Sequence, residues 1–168
     1  RDGLAVAALE GGELRRLSET DHDDEALRAD LLMAIGDPAV IPAYREALDF
    51  AIDQNGHGAA WFGIASALRV MDRHEEALDA LVRAENALQD TADTQTRARM
   101  STLRGNLCFP LGRFDACLEA HQQAYRYAHE ANSHLELARA LGGLGDAHYQ
   151  RGHMITARNH FAQCVKEA

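Results

Sequence analysis

Lysine is almost missing from this sequence: sixteen of its 17 cationic side chains are arginine, and Lys166 is the sole exception. The bias reads first as genome composition, and second as a supply of planar guanidinium groups suited to carboxylates. Cationic charge as a whole is also short, leaving a formal net charge of −9. Binding to nucleic acid or to an anionic membrane needs a basic face against phosphates, so neither is expected as a partner. The three cysteines form no C-x-x-C pair and follow no regular spacing. That speaks against a disulfide framework and a structural zinc site, and it fits a reducing cytoplasm. No apolar run approaches the roughly 18 residues of a membrane span. The apolar start, Leu4 to Leu9, is too short for a secretory signal.

Proline is scarce as well, with three in 168 residues, so little interrupts a helix. What remains is 46% apolar and rich in Ala, Leu, Arg and Glu, which lose little rotamer freedom in a helix. Strand signals are nearly absent, and an all-α fold is expected. The length suits one ordinary domain or a short run of stacked repeats. The chain begins at Arg1 without an initiator Met and ends at Ala168 inside an unfinished helical pattern, so a piece of a longer protein is expected.

The clearest signal is internal repetition, which fixes architecture before any other reading. Ala65, Gly105 and Gly145 fall at steps of forty, as do Asp72, Gly112 and Gly152. Ala77, Cys117 and Ala157 follow, then Ala84, Ala124 and Cys164, while the bulky residues Leu81, His121 and Phe161 recur in step. Helices are expected at about 58–71, 74–89, 94–110, 113–131, 134–151 and 153–167, paired antiparallel across turns at Asp72, Gly112 and Gly152. Residues 58–92, 93–132 and 133–168 then form three regular pairs of one continuous solenoid. Asn55 to Gly58 reads as a turn ahead of them. Residues 23–57 read as a divergent pair: capping oxygens at Thr20 and Asp21 open a helix to Ile35, Gly36-Asp37-Pro38 ends it, and a second runs from Pro38 to about Asp53. Residues 1–22 are poorly defined, with a short helix expected over Glu13–Glu19.

Leu144-Gly145, His148, Gly152, Ala157, Phe161 and Cys164, with Trp61 at the head of the array, resemble the tetratricopeptide repeat. The likeness covers about residues 58–168 and implies an α-α superhelix whose first helices line a concave face. That family's usual period is about 34 residues, so the surplus of six falls between Ala84 and Gly105 and again between Ala124 and Gly145, which should deepen the groove. A period near 40 also fits two-helix HEAT-type repeats; the Leu-Gly and turn-Gly spacing favours the tetratricopeptide reading. Long repeats of this kind resemble those of bacterial signalling ATPases and transcriptional activators, and of polarity scaffolds, where the repeats are the sensor or partner-binding part.

The resemblance implies a binding face, and spacing against the core side of each first helix selects its residues: Phe62, Ser66 and Arg69; Arg99, Thr102, Asn106 and Phe109; Arg139, Gly142, Asp146 and Tyr149. Arginine offers bidentate bonds and the aromatics offer anchors, which suits a protein or peptide segment carrying a carboxylate or phosphate. The clamp by which some members hold a chaperone tail uses Lys and Asn, and only Asn106 has a counterpart here. The alternative is a structural or oligomerisation scaffold with no separate ligand, such as a homodimer.

No catalytic residue, metal or cofactor is expected, and the chain is read as no enzyme. Gly142-Gly143-x-Gly145 lies inside a helix with no preceding strand, so it cannot wrap a pyrophosphate. None of the nine His falls in an H-E-x-x-H arrangement, and His153 with His160 lacks a third ligand in sequence. His121 and His148 stand at packing positions where adjacent pairs can bring them together. The cysteines take small or aromatic core positions and are expected to be inert thiols.

Overall fold

The computed structural model describes residues 22–168, with side chains from Glu25 onward. The helix expected over Glu13–Glu19 lies outside the described residues. Among the described residues there are eight helices and no strand: α1 (His22–Ile35), α2 (Val40–Phe50), α3 (Gln54–Val70), α4 (His74–Ala87), α5 (Thr94–Cys108), α6 (Phe114–Glu130), α7 (His134–Gln150) and α8 (Met154–Glu167). From α4 onward each boundary falls within two residues of the sequence expectation.

The forty-residue rhythm extends to the caps. Asp53, Asp93 and Ser133 each accept, through a side-chain oxygen, the backbone N–H three residues on: Gly56 at 2.8 Å, Thr96 at 2.7 Å and Glu136 at 3.5 Å. These are the N-caps of α3, α5 and α7, each satisfying a donor that the helix itself cannot. Asp53 also explains a difference from the sequence reading. The Asn55–Gly58 stretch, expected as a turn, forms the opening of α3, because the Asp53 cap starts the helix ahead of both glycines. Replacing Asp93 by Ala is expected to lower stability by about 1 kcal/mol, read as a drop in the thermal midpoint.

The opposite ends close with a left-handed residue. Gly112 (φ 70°) and Gly152 (φ 75°) take it freely, and Asp72 (φ 57°) takes it as a non-glycine. Beyond each, the next N–H reaches back: Arg73 to the Leu68 carbonyl at 2.9 Å, Arg113 to Cys108 at 3.0 Å, and His153 to His148 at 3.0 Å. This closure turns the chain directly into the second helix of each pair. Gly36 plays the same part for α1, with Asp37 N–H on the Leu32 carbonyl at 2.9 Å. The next helix then starts at Val40, and Pro38 stays in the turn rather than opening α2.

Close approach depends on the small residues that recur in step. Ala65, Gly105 and Gly145 are buried in the first helices, and Ala77, Cys117 and Ala157 in the second. The bulky residues of the repeat fill the space so created: a Cβ on Gly105 would overlap the His121 ring, and one on Gly145 would overlap Phe161. His121 is 1% exposed and abuts Gly143 of the following pair as well, so one imidazole joins three helices. It therefore meets glycines, not His148. His148 lies near the end of α7, where its ring stacks on His160 at 5.3 Å and approaches His153 at 5.7 Å.

Each of α1, α3, α5 and α7 touches the next in that series, while no two of α2, α4, α6 and α8 touch. The first helices thus form a continuous inner wall and the second helices fan outward, the arrangement of an α-α superhelix. At its far end α8 buries only Ala157. Ile155 and Val165 remain 73% and 77% exposed there.

Candidate binding cleft on the inner face

The inner wall opens into a cleft of about 460 Å³ bounded by α1 and α2 on one side and α5 on the other, with α3 as its floor. Phe62 and Ser66 come from the floor, Thr96 and Arg99 from the α5 wall, and Asp30, Met33 and Tyr44 from the opposite wall. Gly63 is what lets the far wall in: a Cβ there would overlap the Tyr44 ring. Tyr44 donates its phenol O–H to Asp30 Oδ1 at 2.5 Å. Burial, reinforced by that acceptor, pushes the phenol above its ordinary range, so Tyr44 is a neutral donor. The Ser66 hydroxyl donates to the Phe62 carbonyl at 2.9 Å, one turn back along α3. Arg99 places its guanidinium carbon 5.1 Å from the centre of the Phe62 ring, a cation–π contact that fixes the charge at the edge of an apolar floor.

Three of the residues selected from sequence, Phe62, Ser66 and Arg99, therefore share one cleft. Arg69, Asn106, Arg139, Asp146 and Tyr149 are exposed and lie outside that cleft. Partial desolvation by the surrounding atoms raises the Asp146 carboxyl above its ordinary value, although its surface stays exposed. Thr102 is buried, and its Oγ1 has no hydrogen-bond partner among the described residues. Phe109 caps α5 and packs edge-on against Phe114, centroids 6.0 Å apart, where Pro110 has ended the helix. Asp30, Met33, Tyr44 and Thr96 were missed. The hydrogen-bonding capacity of Tyr44 beside an acidic helix was the available signal.

A second cleft, about 290 Å³, lies between α4 and α6 over Met100 and Ser101 of α5. Several of its polar groups are engaged: Arg97 donates to the Ala92 and Gln89 carbonyls, Arg104 to Glu85, and Gln123 to Tyr127. Both clefts draw on the interval from Ala84 to Gly105, where the surplus residues of the repeat fall. The buried thiols are protonated, with desolvation raising Cys108 and pushing Cys117 up to about 11.

Residues 96–166 match the tetratricopeptide repeat family model. No curated protein matches the sequence significantly. Among solved structures, MamA 41-end from Desulfovibrio magneticus RS-1 shares 19% identity, with a TM-score of 0.72 over 99% of this chain and 92% of that one. BtubC (BKLC) from P. vanneervenii is similar at 16% identity, with a TM-score of 0.79 over 99% of this chain and 71% of its own. Aspartyl phosphate phosphatase F from Bacillus subtilis is similar at 15% identity and a TM-score of 0.75, this chain aligning over 99% of its length with 44% of the phosphatase. At such identities the likeness is one of fold. The matched span supports the tetratricopeptide-repeat family, and the described chain as a whole has the all-α solenoid architecture of such repeats.

Proposed function

We propose that the chain is a protein- or peptide-recognition module, the sensor or partner-binding part of a larger bacterial signalling or transcription regulator, working in the cytoplasm without catalysis of its own. The inner cleft carries this reading: an aromatic floor, a guanidinium held against it and a carboxylate on the facing wall combine an apolar anchor point with two opposite charges. Such a mixture holds an extended or helical segment through one buried side chain and a few oriented polar contacts. The net charge of −9 stands against nucleic acid as the occupant. Random short peptides displayed on phage provide the test. Saturable binders are expected on the wild-type chain, weakened at least about tenfold by Phe62→Ala, the loss of one aromatic anchor. A library yielding no saturable binder sinks the proposal.

A structural reading is favoured by the exposed apolar residues of α8, Ile155 and Val165. On that reading the chain pairs with itself or spaces other domains. Sedimentation separates the two: a dimer unchanged by dilution, with the inner cleft closed to peptides, would establish the scaffold.

A further inference from the structure

We infer that Arg99 reads a carboxylate, supplied by an acidic side chain of the segment bound in the inner cleft; this rests on the peptide-binding role proposed for that cleft. The cleft has an echo forty residues on, where position 99 recurs as Arg139 and position 96 as Glu136. In the later copy the chain fills its own site. Arg139 donates from Nη1 to Glu136 Oε1 at 2.7 Å, and the Glu136 side chain is only 2% exposed. In the earlier copy Thr96 stands where that carboxylate would be, and its backbone N–H donates to Asp93 Oδ1 at 2.7 Å.

Arg99 is thereby left with no ion pair among the described residues, whereas Arg28, Arg104, Arg113 and Arg151 each have an acidic partner. Phe62 covers one face of the guanidinium, and the N–H edge remains for a planar, bidentate acceptor. A carboxylate meets that need; in the later copy Glu136 supplies one to Arg139 through Oε1 alone, its Oε2 having no partner among the described residues. On the facing wall Asp30 Oδ1 already accepts from Tyr44, so the remaining carboxylate capacity favours a donor from the ligand. The favoured segment carries Asp or Glu beside an apolar side chain that seats on Phe62 and Met33.

The test uses peptides displayed through their C-termini, so that only side-chain carboxylates are offered, panned on the wild-type chain and on Thr96→Glu. That substitution installs in the first copy the acid that Glu136 provides in the second. Enriched peptides are expected to contain Asp or Glu next to an apolar residue. Their synthetic, C-terminally amidated forms should lose at least about tenfold in affinity to Thr96→Glu, to Arg99→Gln, and when the acid is replaced by its amide. Thermal unfolding confirms that each variant folds, and the exposed Arg99→Gln serves if Thr96→Glu does not. Peptides that lack an acid, or that bind both variants as well as wild type, would overturn the carboxylate reading and leave peptide binding intact. Binding that needs a free C-terminal carboxylate would overturn the side-chain assignment. An empty selection would remove both.

Discussion

Replacing Gly143 with alanine is expected to destabilise the fold by about 2–3 kcal/mol, while the same change one residue earlier, Gly142→Ala, stabilises it by up to about 1 kcal/mol. Both glycines lie within α7, where alanine is the better helix former by about 1 kcal/mol. Their surroundings decide the sign. A Cβ at Gly142 has Cys164 Sγ 3.9 Å away, an ordinary contact, whereas a Cβ at Gly143 would overlap the His121 ring. That ring cannot retreat, because Gly105 confines it from the other side. The overlap must be relieved by parting α6 from α7, which opens the joint between two repeats. His121→Ala in the Gly143→Ala background removes the obstruction, so the second change should cost far less there than in the wild-type chain. Denaturant unfolding of the four proteins measures this coupling.

The second large effect is acid sensitivity. His121 is buried, its Nδ1 has no hydrogen-bond partner among the described residues, and desolvation pushes its pKa down to about 4. The unfolded imidazole titrates near 6.5, so between these values the unfolded chain binds a proton that the folded chain refuses. Stability is therefore complete above about pH 6.5 and falls as the pH drops toward 4, by roughly 3 kcal/mol in all from this group. His148 and His160 are lowered in the same direction, His148 by burial and then by its neighbours His160, His153 and Arg151, and His160 by burial. His121→Leu, the residue type that Leu81 supplies at the matching place, should flatten most of the slope. A stability profile measured in denaturant from pH 4 to 8 checks it; an unchanged slope in the variant would assign the sensitivity elsewhere.

Much of the architecture was legible because one kind of information repeats. Small residues at Gly105, Gly145, Cys117 and Ala157 and turn residues at Asp72, Gly112 and Gly152 gave the helices and their pairing, and these positions are the helix contacts and left-handed turns observed. Asp53 falls on the same rhythm, forty residues before Asp93, yet Gly56 and Gly58 give the stretch the propensity of a loop, which the cap bond overrides.

The cleft was legible only on the α3 and α5 side. Projecting a stripe along α5 assumes that the helix runs on through position 109, but Pro110 stops it and sends Phe109 against Phe114. The far wall was lost because the first pair is out of register. Its turn at Gly36 lies 36 residues before Asp72 rather than forty, so the forty-residue offset does not map Asp30, Met33 or Tyr44 onto the later repeats. Tyr44 reaches the site through a tertiary contact with Gly63, which no single-helix periodicity contains.

The inner cleft as the seat of recognition is tested most directly by an amide chemical-shift map of the chain titrated with a selected peptide. Shifts that concentrate at Asp30, Phe62, Ser66, Thr96 and Arg99, the lining of the cleft, are the predicted result. Shifts confined to α8 and the outer faces of α4 and α6, with those five residues unmoved at saturation, would contradict it.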